Sequence, residues 1–306
     1  MDFDELSFID WQWESYTRLR MDPEKKKKQV SLLYGTELYE SHDDSGLEYT
    51  FVPTKRMQER EKNILALYHE LHTEDNEIEI CNEVFFTTKI EGADTTIART
   101  QAIHDGAAID PNNSFSEYMV LGCFQATKYM NLMSNQLNKD ILLKCWNILV
   151  DKACSNTDIR GEEYRTGAVQ VANHAGLHHL LLEDAMNCWL EYYHSGHLKE
   201  HPFIKAALLH FAFEFIHPFC DGNGRCGRLL MNNFLIANGF EKIKAVSFSR
   251  TIDKNRSMYD AALAMGDNVQ ADCTAFIEYM LDVFEESLFD VLEREQIKRN
   301  ADYEKF

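Results

Sequence analysis

His217-Pro218-Phe219-Cys220-Asp221-Gly222-Asn223-Gly224-Arg225-Cys226-Gly227-Arg228 puts an imidazole, a carboxylate, a glycine-flanked turn and two guanidinium groups into twelve consecutive residues. The run before it, Phe203 to Ile216, is apolar almost all round and predicts a buried helix. Pro218 helps to end that helix because it cannot donate to the helical ladder. His217 then stands at the helix's C-terminal edge. Gly222 and Gly224 permit backbone conformations closed to other residues, and a new apolar run, Leu229 to Ala237, resumes at helical spacing. The pattern is a loop feeding a helix N-terminus, whose unpaired N–H groups and positive dipole end suit an anion. Arg225 and Arg228, three apart, share a face where two forks can hold different phosphates of one polyphosphate. Asp221 beside that anion suits Mg²⁺, which takes one or two carboxylates together with phosphate oxygens and water. A lone His after a buried helix is ordinarily a cap or a core residue, and a lone Asp a turn residue. A turn alone has no use for all of these groups together.

The stretch resembles the signature of the Fic family, H-x-F-x-[DE]-G-N-G-R-x-x-R, with every fixed position filled. Most members of that family move AMP from ATP onto a hydroxyl side chain of another protein or of themselves. Carried onto this sequence, the resemblance implies that His217 takes the proton from the target hydroxyl and that Asp221 holds Mg²⁺ against the phosphates. It further implies that Gly222, Asn223 and Gly224 line the anion-binding turn, that Arg225 meets the inner phosphates and that Arg228 meets the γ-phosphate.

A second stretch, Ile78 to Gly92, taken alone is an amphipathic helix closed by glycine, with Glu91 an ordinary exposed carboxylate. Upstream of the full signature it is similar to the family's inhibitory motif [ST]-x-x-x-E-[GN], filled by Thr87, Glu91 and Gly92. The resemblance implies that Glu91 pairs with Arg228, stands where the γ-phosphate goes and so restrains transfer. Between the two motifs, Gly161 to Arg165 breaks the helical rhythm and Ala168 to Ala172 is short and β-prone. In Fic proteins a hairpin flap lies here and pairs with an extended target segment, which puts Val169, Gln170, Val171 and Ala172 in the docking role. Gly176-Leu177-His178-His179 stands where many members carry prolines. His174, His178 and His179 read as surface or packing histidines, lacking a carboxylate or Cys at metal spacing. After the signature, Asn255 and Tyr259 are candidate contacts to the nucleotide base.

The remaining chain is read as helices. Pro53 begins one that runs to about Leu71; Asp22-Pro23-Glu24 marks a helix start before the lysine run Lys25 to Lys28, a solvated face. Phe115, Tyr118, Met119, Phe124 and Ala126 predict one buried stripe, and Ile141, Leu142, Cys145, Ile148 and Leu149 a second. Helices follow at Leu181 to Tyr193, Asp253 to Ala264 and Asp272 to Leu292, with Val246 to Arg250 extended and the last dozen residues frayed. The expected fold is mostly α, a Fic-type helical core with a short β-hairpin flap. Its expected divisions are an N-terminal helical region 1–109, a core 110–281 and a C-terminal end 282–306.

The formal charge of -19, from 50 acidic against 31 basic residues, argues against nucleic acid, which needs a basic footprint. It leaves ATP open, since ATP needs only a local positive site. No apolar run reaches membrane length, and Met1-Asp2-Phe3-Asp4-Glu5 lacks the basic start of a signal peptide, so the cytoplasm is the expected location. The eight cysteines are scattered without a C-x-x-C pair and read as reduced core thiols. The expected partners are a hydroxyl-bearing target protein or the chain itself, in a chain open to homo-oligomer formation. Two alternatives stand beside AMP transfer: removal of AMP or transfer of another phosphate-containing group at the same site, and an ATP-sensing protein latched against catalysis.

Overall fold

The computed structural model describes residues 28–29, 50–51, 54–72, 76–133, 135–153, 163–171, 174–196, 198–199, 201–268 and 273–303. The expected helix start at 22–24 and most of the lysine run lie outside them. Among the described residues eleven α-helices dominate. In chain order they are α1 (Lys55–Glu70), α2 (Asn76–Ile90), α3 (Ile97–His104), α4 (Ser114–Met133), α5 (Lys139–Val150), α6 (Leu182–His194), α7 (Pro202–Ile216), α8 (Asn223–Ala237), α9 (Phe248–Lys254), α10 (Arg256–Asn268) and α11 (Thr274–Tyr303). Two short antiparallel ladders join them. One pairs β1 (Lys28–Gln29) with β2 (Thr50–Phe51). The other pairs β3 (Gln170–Val171) with β4 (His174–Ala175), matching Gln170 to Ala175 and Val171 to His174.

Side-chain caps begin several helices by accepting from otherwise orphaned N–H groups. Thr54 Oγ1 accepts from Met57 N at 3.1 Å, and Asn138 Oδ1 from Ile141 N at 3.0 Å. At the centre lies α7, whose residues from Phe203 to Glu214 are all buried. It packs against α8, α6 and α11, and α11 in turn packs along α1. α4 lies on α5 so closely that a Cβ on Gly122 would stand 2.5 Å from the Leu149 carbonyl oxygen. One continuous apolar cluster runs from Phe51 through Ile64, Val84, Trp146 and Phe213 to Phe284 and Leu292, so the segments 1–109, 110–281 and 282–306 share a core.

Four expectations change. In α4, Met119 and Ala126 of the expected stripe are buried together with Ser116, Val120, Cys123 and Met130, whereas Phe115 is exposed and Tyr118 and Phe124 are half-buried. Val246 to Arg250 is extended only at Val246 and Ser247, because Ser247 caps α9 by accepting from Arg250 N. The expected helix from Asp253 is broken at Asn255, which ends α9 before α10 begins. The charged C-terminal residues continue α11 through Tyr303. Packing against α1 holds its earlier part. Arg56 pairs with Asp282, and Arg60 with Asp282 and Glu285.

Candidate active site

α7 ends at His217, whose φ of 50° and ψ of 61° are left-handed, a conformation that costs a non-glycine residue and clusters at functional sites. Its N–H donates to the Phe213 carbonyl at 2.9 Å. Ring Nδ1 lies 3.2 Å from the Glu214 carbonyl. A carbonyl only accepts, so Nδ1 carries the hydrogen, and in the neutral ring Nε2 keeps the lone pair. That is the tautomer a proton acceptor at Nε2 requires.

The loop after His217 is clamped from inside. Asn223 Oδ1 accepts from Phe219 N at 2.9 Å while Asn223 Nδ2 donates to Phe219 O at 2.7 Å, which fixes the amide's orientation. Trp146 stacks on Phe219 with centroids 4.4 Å apart and donates Nε1 to the Asp221 carbonyl at 2.9 Å. Gly222, at φ 79°, turns the chain into α8, and a Cβ there would press within 2.8 Å of Val150. Asn223 is thus a strut of the turn.

Both signature arginines are nearly inaccessible, at 2% exposure each. Arg225 Nη2 donates to Asp221 Oδ1 at 3.2 Å, while its Nε and Nη1 are buried without a hydrogen-bond partner. Arg228 is fully engaged by the end of α2: Nε donates to Thr87 Oγ1 at 2.8 Å, Nη2 to Thr87 O at 3.1 Å and to Glu91 Oε1 at 2.7 Å. Thr87 and Glu91 are four apart, so one helical face carries both to the same guanidinium.

The end of α2 explains its last residues. Gly92 N donates to Lys89 O at 2.9 Å and Ala93 N to Thr88 O at 3.0 Å, the bond pair of a Schellman motif with Gly92 left-handed at φ 87°. Glu91 therefore occupies the last position before the reversal and projects toward α8. Its carboxylate lies so close over Gly224, in the first turn of α8, that a Cβ there would collide with Oε1. Burial pushes the Glu91 carboxyl up, but Arg228, Arg225 and Arg256 more than offset this and hold it below the ordinary range. The carboxylate is an anion seated at a helix N-terminus.

Other residues hold α2 in place. Arg256 Nη1 donates to the Ile90 carbonyl at 2.7 Å and Lys89 pairs with Asp253 at 2.6 Å. Glu83 accepts from Ser247 Oγ at 3.0 Å, Ser249 N at 2.9 Å and Ser249 Oγ at 2.6 Å. Behind Arg228, burial raises the Glu214 carboxyl to about 7 and lowers His210 to about 3, with Glu214 Oε1 and His210 Nδ1 3.9 Å apart.

Of the candidate base contacts, Tyr259 is buried, with its hydroxyl 2.8 Å from His210 Nε2 in the core. Asn255 is half-buried and its Nδ2 has no hydrogen-bond partner. Val169, Gln170 and Val171 lead into the β3–β4 ladder, with Val169 O accepting from Gly176 N at 3.0 Å; Ala172 lies outside the described residues. Among the described residues no group of three or more His, Cys, Asp or Glu is placed to hold a metal, and no helix is long and apolar enough to cross a membrane. Asp221, with a side chain 24% exposed, is a single carboxylate beside the anion site, which fits an ion that takes its other oxygens from phosphate and water. Sequence reasoning passed over Trp146, Glu214 and the roles of Arg165 and Arg256. Two of them carried a signal: Arg165 closes the recognisable Gly161–Arg165 run, and Arg256 matches the family's spacing after the signature.

A family model described as Fic/DOC matches residues 136–235. The protein adenylyltransferase Fic of Drosophila ananassae is 33% identical over 215 residues, 67% of this chain and 40% of that protein. The Drosophila virilis protein of the same name is 32% identical over 215 residues, 67% of this chain and 41% of its own. The chain thus spans about 40% of the length of the curated relatives it matches. A solved Fic family protein from Desulfovibrio desulfuricans superposes with a TM-score of 0.68 at 22% identity, covering 79% of this chain and 75% of that one. Fic-1 from C. elegans gives 0.66 at 19% identity, covering 79% and 73%. These two establish the likeness of fold. On the matched domain, the filled signature and the shared helical architecture, the chain belongs to the Fic/DOC family.

Proposed function

We propose that this protein is an adenylyltransferase that moves AMP from ATP to a Ser, Thr or Tyr hydroxyl of a target protein or of itself. The hydroxyl attacks the α-phosphate in line, and pyrophosphate leaves. His217 Nε2 takes the hydroxyl proton, a role typically worth ~10²–10⁴-fold. The N–H groups of the Gly222-Asn223-Gly224 turn hold phosphate oxygens, Arg225 faces the inner phosphates and Arg228 the γ-phosphate. Asp221 is the residue that would hold Mg²⁺, whose charge neutralises phosphate oxygens during transfer. The β3–β4 ladder, with Val169 to Ala172, offers main-chain groups to an extended target segment.

A single observation carries this proposal: Glu91 Oε1 sits 2.7 Å from Arg228 Nη2 at the start of α8. A carboxylate there occupies an anion site, and the anion that site serves in an active complex is phosphate. The protein is accordingly restrained by its own α2. A second reading, removal of AMP by water, is favoured by Glu91 being held ionised beside the phosphate site, where a carboxylate can orient water.

Incubation with α-labelled or γ-labelled ATP and Mg²⁺ tests this directly. Glu91→Gly protein is expected to acquire label from the α position faster than the parent, and His217→Ala to lose it by ~10²–10⁴-fold. Label arriving from γ, or none in Glu91→Gly, overturns the assignment. Loss of AMP from preloaded protein would identify the reverse reaction.

A further inference from the structure

Arg165 lies outside both motifs and is 5% exposed. Its guanidinium donates to four main-chain carbonyls: Nε to His217 O at 2.7 Å, Nη1 to Gly167 O at 2.6 Å, and Nη2 to Ile216 O at 3.3 Å and to Leu177 O. Its own N–H donates to Pro218 O at 3.0 Å. Ile216, His217 and Pro218 are the corner where α7 gives way to the signature loop. Gly167 and Leu177 stand on either side of the β3–β4 ladder. One buried cation therefore joins the backbone of the His217 corner to both legs of the hairpin. Gly176 completes the contact, since a Cβ there would lie 2.9 Å from Val169 Cγ1, 3.2 Å from Arg165 Nη2 and 3.3 Å from His217 Cβ.

We infer that Arg165 is a positioning residue for the transfer reaction, holding the His217 backbone in its left-handed conformation and fixing the distance between the His217 ring and the β3–β4 hairpin. This rests on the transfer reading above. The physical need is clear at His217, where φ of 50° is unfavourable for a β-carbon-bearing residue and persists only if neighbours over-determine it. Four carbonyls facing one fork do that, because a planar guanidinium fixes the directions of its donors. A lysine ammonium, compact and freely rotating, cannot span the same set. When the corner relaxes, the ring loses the Glu214 carbonyl that keeps hydrogen on Nδ1. The lone pair at Nε2 is then no longer held toward the acceptor position, and the hairpin shifts relative to it.

The test uses the full chain in a Glu91→Gly background, comparing Arg165→Lys and Gly176→Ala with that background. Both are expected to lower kcat for AMP transfer by about 10–100-fold, the cost of a misplaced reacting group. KM for ATP should stay within about twofold, since the phosphate-binding turn is separate. In parallel, ¹⁵N NMR of the imidazole should show His217 as the Nδ1–H tautomer in the background protein and as a mixture in Arg165→Lys. Unfolding midpoints establish that each variant is folded. If Arg165→Lys fails to fold, Gly176→Ala decides the matter. Variants that keep kcat within twofold and the Nδ1–H tautomer overturn the inference. Absence of any transfer in Glu91→Gly alone would sink the functional reading, and the tautomer would still decide the role of Arg165.

Discussion

Arg228 and Glu91 meet at 2.7 Å across 137 positions of sequence, with the arginine side chain 2% exposed and the glutamate 29%. The same guanidinium is held by the side chain and carbonyl of Thr87. α2 is thereby fastened to the second turn of α8 through one buried cation.

This contact makes stability depend on pH in a defined direction. The folded carboxyl of Glu91 lies below its ordinary value of 4.5, so its contribution is fully present above about pH 4.5 and is lost as pH falls through the lowered value. Glu91→Gln should therefore be less stable than the parent by ~1.5–3 kcal/mol at neutral pH, with the gap closing in acid. Denaturant unfolding of both proteins from pH 7 to pH 3 measures it; a gap that widens in acid contradicts the assigned pair.

Thr87 offers a second test of the same cation. Thr87→Val removes the hydroxyl acceptor of Arg228 Nε and leaves a buried charged donor short of a partner. A loss of ~1–3 kcal/mol follows, and Thr87→Ser should restore most of it. Equal stability of the Val and Ser variants would show that the hydroxyl is not the acceptor.

Arg256 holds the end of α2 without touching the Glu91–Arg228 pair, through its bond to the Ile90 carbonyl. A cation at a helix C-terminus contributes ~0.3–1 kcal/mol, so Arg256→Ala should raise basal AMP transfer by about two- to fivefold, less than Glu91→Gly. Intact-mass analysis after ATP and Mg²⁺ reads the modified fraction. A rate unchanged or lowered argues against this strap.

Gly122 governs how closely α4 and α5 approach. In Gly122→Ala the new methyl would stand 2.5 Å from the Leu149 carbonyl oxygen, a backbone atom that cannot swing aside. Overpacking of this kind costs ~1–3 kcal/mol. Unfolding within 0.5 kcal/mol of the parent, at about the level of an ordinary surface change, would mean that the helices part at no cost.

Much of the site was legible because its chemistry is contiguous. From His217 to Arg228, residue types alone declare a helix end, a left-handed turn and a helix start, since proline and glycine restrict the backbone whatever surrounds them. Thr87, Glu91 and Gly92 were marked only by their resemblance to the family's inhibitory motif, because their local pattern alone reads as a helix closed by glycine with Glu91 an ordinary exposed carboxylate. Periodicity located nearly every helix. On α4 it placed Met119 and Ala126 correctly but missed Phe115, which is as apolar as its buried neighbours and faces outward.

Tertiary structure alone decided which groups meet. Arg165 closes a recognisable loop run, but its role emerges only when folding brings Gly167, Leu177, Ile216 and His217 around it. Tyr259 meets His210 only because α10 folds back against α7. Arg256 became a cap for α2 only because α10 returns to the end of that helix. Conformational preference is set by a residue and its near neighbours along the chain. Hydrogen-bond partners of long side chains are set by distance in space, and no local pattern encodes which carbonyls a folded core will bring within 3 Å of a guanidinium.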